Sequence, residues 1–323
     1  MRLRARPSGR RAPLRSVGVS VAPIFLLVAA GARAASPAYD SGPSGSSAAM
    51  IADAYRASYH GRYSEALGDA NKVISSFPSY GGAYRARADF EYDAGLYKQA
   101  RTDLDRVASM HPDDVDLALF RIQLDLAQGD AKSAVADILS AQNLGGRSHW
   151  HEAREAGTGE SNNGTDYVVT KFGQAVVYAY RSITEQLLHE DAASLDDMAQ
   201  MMKLEFDQPY GILAKYCYVA ASAGLLDSAE LACQESIENN GHDIGQFDTL
   251  GLVHLRMKQC DKALADYNTA VAKRPDLTVS LYGRGICRRA RGDIGGGNAD
   301  MAAATHDEPD IANIMHRLGA PAL

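Results

Sequence analysis

The side chains with the best donor chemistry stand together near the middle of the chain, at His149-Trp150-His151-Glu152 with Glu155 close behind. Imidazole and carboxylate together can hold zinc. Their spacing argues against it, because residues two apart on a helix point to different sides. A surface turn around Trp150, the only tryptophan, is the preferred reading, and no metal and no cofactor are expected. A metal-dependent enzyme centred on His149 and His151 is retained only as the weakest alternative. The run Arg291-Gly292-Asp293-Ile294-Gly295-Gly296-Gly297 has the glycines of a phosphate loop but not the Gly-Lys-Ser/Thr ending that would hold phosphate and magnesium. It reads as a turn. No nucleophile elbow, zinc-protease helix or Cys-x-x-Cys is present, so no catalytic residue is assigned and the chain is not expected to be an enzyme. Asn163-Gly164-Thr165 matches a glycosylation acceptor, which matters only in a eukaryotic secretory setting.

The elements that would carry these residues follow from a period. Gly61, Gly95 and Gly129 stand 34 residues apart, echoed by Ala66, Ala100 and Ala134 and by Pro78 and Pro112. The period resumes downstream in a shifted frame through Gly224, Ala229, Ala263, Pro275, Gly292 and Pro309. A fixed repeat of this length predicts a solenoid of helical hairpins, each packed only on its neighbours. Three units are expected in residues 47–148 (47–80, 81–114 and 115–148). Four more are expected in 176–311 (176–209, 210–243, 244–277 and 278–311). In each, the glycine ends the first helix in a left-handed turn and the proline follows the second. Ala88 and Ala100, like Ala54 and Ala66, Cys217 and Ala229, or Gly251 and Ala263, are small enough to let the two helices cross closely.

These residues resemble the tetratricopeptide repeat family, whose pattern asks for small residues at positions eight, twenty and twenty-seven and proline at thirty-two. The resemblance spans most of 47–311 and is weakest in 176–209, where Glu190 stands in the glycine place and Leu195 in the alanine place. It implies an all-α, right-handed α-solenoid of antiparallel helix pairs. Residues 310–318 are expected to form a short capping helix, with the end of that cap and the tail in 312–323. Gly295, Gly296 and Gly297 would fray the last second helix, at about 1 kcal/mol each relative to alanine. Residues 149–175, with Gly157, Gly159, Asn162, Asn163 and Gly164, are expected to be an insertion or loop.

Residues 1–34 carry seven arginines, no acid, an apolar run and Ala32-Arg33-Ala34 as a small-x-small cleavage signal. They read as a signal peptide, followed by a flexible linker over 35–46. The apolar run is shorter than the roughly twenty residues that span a bilayer, so no membrane span is expected after cleavage. An exported, periplasmic or secreted protein is expected, with a mitochondrial presequence as the alternative. Cleavage removes seven positive charges and takes the formal net charge from −7 to −14. A chain so acidic is not expected to bind nucleic acid.

Export would place the four cysteines in an oxidising compartment. Cys217 and Cys233, about eight residues either side of the turn near Leu225, would face each other across antiparallel helices. Cys260 and Cys287 lie toward one edge of the stack about a turn out of register, and their bridge is the less expected of the two. In the resembling family the first helices line a concave groove for a peptide. Carried over unit by unit, that groove would display Tyr55, Tyr59, Arg85, Tyr92, Phe120, Tyr180, Lys215, Tyr218, Arg256 and Tyr282. Recurrent tyrosine suits a contact surface, since a rigid ring with a polar tip gives area at small entropic cost. Ile51, Tyr55, Leu252 and Ile286 stand where a carboxylate-gripping subfamily carries lysine and asparagine, so a C-terminal-tail clamp is not expected. The expected function is therefore non-catalytic binding of a peptide or partner protein in the groove. The alternative is a structural adaptor in a multi-subunit envelope assembly, using its convex face and the loop.

Overall fold

Two helices joined by a short left-handed turn can cross closely only where neither carries bulk, and this requirement recurs along the whole chain. The computed structural model describes residues 46–110, 114–143, 163–203, 210–239 and 244–321. Among them are fifteen helices and no strand. Helix α1 (Ser46–Tyr59) pairs with α2 (Tyr63–Ser76), α3 (Gly81–Asp93) with α4 (Tyr97–Met110), and α5 (Val115–Ala127) with α6 (Ala131–Asn143). Next come α7 (Asn163–Leu187) with α8 (Asp191–Lys203), α9 (Tyr210–Ser222) with α10 (Leu226–Asn239), α11 (Ile244–Arg256) with α12 (Cys260–Lys273), and α13 (Thr278–Ala290) with α14 (Ile294–Asp307). The short α15 (Ile311–Arg317) follows. Ala54, Ala66, Ala88, Ala100, Ala229 and Ala263 are all buried at the crossings.

Helices α2, α4, α6, α10 and α12 each pack also on the first helix of the next pair. First helices touch one another in turn, α1 with α3, α5 with α7, α7 with α9, α9 with α11 and α11 with α13, and α5 reaches α9 two pairs on. The first helices thus form the inner layer of a strongly curved α-solenoid.

The turn after each first helix contains one residue with positive φ. It is glycine at Gly61, Gly95, Gly129, Gly224 and Gly292, but Lys258 in the sixth pair and His189 in the fourth, both at φ 61°. His189, not Glu190, therefore occupies the glycine place, and the fourth unit starts one residue earlier than its expected boundary at 176. A second marker agrees. In the second, third and seventh units an arginine on the first helix meets an aspartate sixteen residues on, in the partner helix. Arg87 to Asp103 is bidentate with both distances 2.6 Å, Arg284 to Asp300 is bidentate at 2.7 Å, and Arg121 to Asp137 measures 3.4 Å. The fourth unit has the same pair as Arg181 and Asp197 at 2.9 Å, again one residue early. The spacing of sixteen is a further sequence signature of the unit.

Two local expectations are corrected. The loop expected over 149–175 gives way to helix from Asn163 onward, and Asn163, Gly164 and Thr165 lie in its first turn. His149, Trp150, His151, Glu152 and Glu155 lie outside the described residues. The predicted fraying of the last second helix does not occur, for α14 is continuous across all three glycines. Asp293 caps it by accepting from the Gly296 amide at 2.9 Å. A Cβ on Gly297 would stand 2.7 Å from the Gly285 carbonyl oxygen of α13, so glycine permits a helix contact that offsets its poor propensity.

The expected closing helix is present as α15, but it does more than cover the end of the stack. Its Arg317 donates through Nε to the Ala94 carbonyl in the α3–α4 turn at 2.8 Å. Glu308, just before it, accepts from the Ser64 amide at 2.8 Å and the Ser64 hydroxyl at 2.6 Å. Arg274 donates to the Tyr59 carbonyl at 3.0 Å and lies over the Tyr59 ring at 3.8 Å, and the Thr278 hydroxyl donates to the Gly61 carbonyl at 3.0 Å. Tyr63, Ala94 and Leu96 join the apolar cluster of the C-terminal pairs. The last units close onto the turns of the first two.

Replacing Lys258 by glycine is expected to raise the unfolding free energy in urea by about 0.5–1 kcal/mol, the left-handed penalty less the extra freedom of an unfolded glycine. An unchanged or lower midpoint would show that the turn carries no such strain. Gly297→Ala is expected to lower stability by roughly 1–3 kcal/mol, because backbone and not a flexible side chain must move, and a silent substitution would refute the close α13–α14 contact.

Candidate functional site

Curvature brings residues of different units onto one inner wall. Position nine of the first helices holds Tyr55, Asp89, Gln123 and Tyr218. The Tyr55 hydroxyl donates to Asp89 at 2.8 Å. From the fifth unit, Tyr218 reaches across and donates to Asp93 at 2.6 Å, while Ser58 donates to the same carboxylate at 3.3 Å. Lys215 donates to Gln123 at 2.7 Å, and Tyr180 donates to that oxygen at 3.3 Å. The Tyr92 ring lies 5.8 Å from Phe120, 5.7 Å from Tyr218 and 5.3 Å from Tyr97, and Arg85 stands over Phe120 at 5.5 Å.

Of the ten residues expected to line an open groove, Tyr92, Phe120, Tyr180 and Tyr282 are buried and act as core. Tyr55, Tyr59, Arg85, Lys215, Tyr218 and Arg256 keep partial exposure. Tyr55, Arg85, Lys215 and Tyr218 share the inner wall with the buried set. Tyr59 is engaged by Arg274 at the closure. Arg256 is turned to the Ala221 carbonyl at 2.5 Å, and Tyr282 belongs to the C-terminal cluster. Asp89, Asp93 and Gln123 were missed. Their signal was the register itself, since like positions on neighbouring first helices meet, but the Tyr218–Asp93 bond spans 125 residues and no local pattern announces it.

Charge on this wall is costly because protein encloses it. Burial raises Asp93 to about 6, against the opposing effect of the Tyr218 hydrogen bond. Burial also lowers Lys215 to about 8 despite Asp89 nearby. Between pairs, His254 of α11 sits between Asp266 of α12 at 2.5 Å and Glu230 of α10 at 3.1 Å. Burial disfavours its charge, but the two carboxylates prevail and its pKa is raised.

The disulfide expected between Cys217 and Cys233 is formed, tying α9 to α10 with the Cα atoms 5.0 Å apart. Cys260 and Cys287 are free thiols.

These shifts predict how stability follows pH. Asp93, raised from its ordinary 3.8, favours the folded state below that value and loses the contribution as pH rises through about 6. His254, raised above 6.5, contributes fully below 6.5 and loses its share as pH rises through its folded value. Unfolding free energy should therefore fall as pH rises from about 4 through about 6, and further above 6.5 as His254 titrates. Asp93→Asn and His254→Gln should each flatten the slope, and a urea midpoint that climbs with pH in this window would contradict the assignment.

The tetratricopeptide repeat family model matches residues 50–106 and 86–148. No curated protein matches the chain. Among solved structures, it is similar to a tetratricopeptide repeat protein from Parabacteroides merdae, with 12% identity over 84% of this chain and 98% of that one and a TM-score of 0.40. It is also similar to YrrB, described as a TPR protein with an unusual peptide-binding site, at 12% identity over 66% and 96% of the two chains and a TM-score of 0.36. A third is PilW, described as a type IV pilus biogenesis factor, at 13% identity over 83% and 98% and a TM-score of 0.35. The family model thus places residues 50–148 among tetratricopeptide repeats, and the same helix pair repeats through the described residues to α14.

Proposed function

We propose that this protein is a non-catalytic binding module that holds a peptide or partner protein on the inner wall formed by its first, second and fifth units. The observation that carries this reading is the convergence there of Tyr55, Arg85, Lys215 and Tyr218, all partly exposed, with the carboxylates of Asp89 and Asp93. Tyrosine and arginine are the side chains through which interfaces most often gain affinity. Their present contacts are to other side chains of the wall, Gln123 and Phe120 included, so a partner exchanges contacts across the wall and does not enter an empty groove. Export to an oxidising compartment fits the same reading, supported by the leader in residues 1–34 and by the Cys217–Cys233 bridge.

A second reading, an adaptor working through its convex face, is favoured by a specific feature of the outer helices. Leu195 on α8 and Leu231 on α10 are each 68% exposed, and Leu139 on α6 is 56% exposed.

Crosslinking capture from cells expressing the full chain separates the two. The Tyr55→Ala/Lys215→Ala variant should hold its partner about tenfold more weakly, as expected for removal of interface anchors, while Leu195→Glu/Leu231→Glu retains it. The reverse pattern would transfer the function to the outer helices. Tyr180 is unsuitable for this test, because its buried ring would destabilise the fold when truncated.

A further inference from the structure

Cys260 begins α12, and Cys287 lies in α13, the helix packed against it. Cys287 is fully buried and Cys260 half exposed. Both belong to the apolar cluster around Tyr267. Cys260 is the neighbour that, together with burial, raises the Cys287 thiol. Cys260 also lines an open cleft together with Lys258, Ile286, Arg289 and Pro321. Cys260 lines that cleft and Cys287 does not, so a small molecule there has access to Cys260 and not to the buried Cys287.

We propose that Cys260 and Cys287 form a thiol–disulfide exchange site, with Cys260 the attacking and Cys287 the resolving thiol, and that its oxidant is a small anionic disulfide. Glutathione disulfide is the probe of that class. The deprotonated sulfur of Cys260 attacks one sulfur of the probe. That breaks its S–S bond, forms a mixed disulfide and releases one glutathione thiolate. The Cys287 thiol then gives up its proton, and its sulfur attacks that of Cys260. The internal disulfide forms and the second glutathione leaves. The protein loses two electrons and two protons, and the probe gains them as two thiols. Access sets the order of attack. Burial and the adjoining Cys260 push the Cys287 thiol well above its ordinary range, so it is not the thiol that attacks first. Lys258, Lys262, Arg289 and Arg291 outweigh Asp261 in the lining of the cleft, which favours the carboxylates of an anionic disulfide. The product would staple α12 to α13, as Cys217–Cys233 already staples α9 to α10.

The test is incubation of the full reduced-at-this-site protein with glutathione disulfide, followed by alkylation and peptide mapping by mass spectrometry. The expected result is a Cys260–Cys287 crosslink reversed by mild reductant, with Cys217–Cys233 intact throughout. Cys287→Ala should instead accumulate one glutathione on Cys260, and Cys260→Ala should take up none. Two thiols still open to alkylation, or a wild-type protein that stops at the mixed disulfide, would overturn the proposal, and the wild-type readout does not depend on either variant folding. Oxidation by cationic cystamine should be at least tenfold slower once each reagent is normalised to its rate with free cysteine. Equal normalised rates would overturn the assignment of an anionic oxidant.

Discussion

Every larger feature of this molecule depends on the close crossing of two helices within each unit. The crossing needs small residues on both helices and a turn that reverses the chain in very few residues. Ala88 over Ala100 and Gly285 over Gly297 meet the first need in different ways, the latter allowing backbone to touch backbone. The second is met by a left-handed residue that is usually glycine, but the fold retains the turn at His189 and Lys258, where it costs something. Packing on both sides outweighs the local penalty. The same balance explains why α14 stays helical through three consecutive glycines.

Once the pairs are formed, their stacking angle decides what the inner wall becomes. In an open solenoid each unit meets only its neighbours. Here the curvature is tight enough for α5 to reach α9 and for the C-terminal units to close on the first turns. Much of that closure consists of side chains bonded to backbone carbonyls and of one carboxylate on a serine. Such contacts are directional and individually modest. They convert a one-dimensional stack into a structure whose two ends support each other. As a consequence the inner side chains are satisfied by one another, and recognition must proceed by exchange of these bonds.

Electrostatics follows the same geometry. The paired arginine and aspartate of several units join the two helices of a pair without leaving a charge unpaired in the interior, which is the condition under which partly buried ion pairs are tolerated. The inner wall departs from that rule. Asp93 and Lys215 are enclosed with mainly neutral hydrogen-bond partners, and both are shifted toward their uncharged forms. A wall in this state responds to a charged ligand or to pH more readily than the outer clamps do.

The 34-residue period, the helix pairs, the alanine crossings and the Cys217–Cys233 bridge were all legible in the sequence, because each rests on residues at fixed short separations along one hairpin. So was the Arg–Asp spacing of sixteen, which also lies within one hairpin. The start of α7 at Asn163 was not legible, since a local run of glycine and asparagine favours a loop. Nor was the burial of Tyr92, Phe120, Tyr180 and Tyr282, for a ring on the inner face is exposed or covered according to the angle at which distant units meet. By itself the sequence determined the repeating unit, because the unit's contacts are local. The tertiary structure alone decided that the stack closes and the inner wall fills, because those contacts join residues of different pairs, up to 244 positions apart, through the sum of many small rotations between pairs.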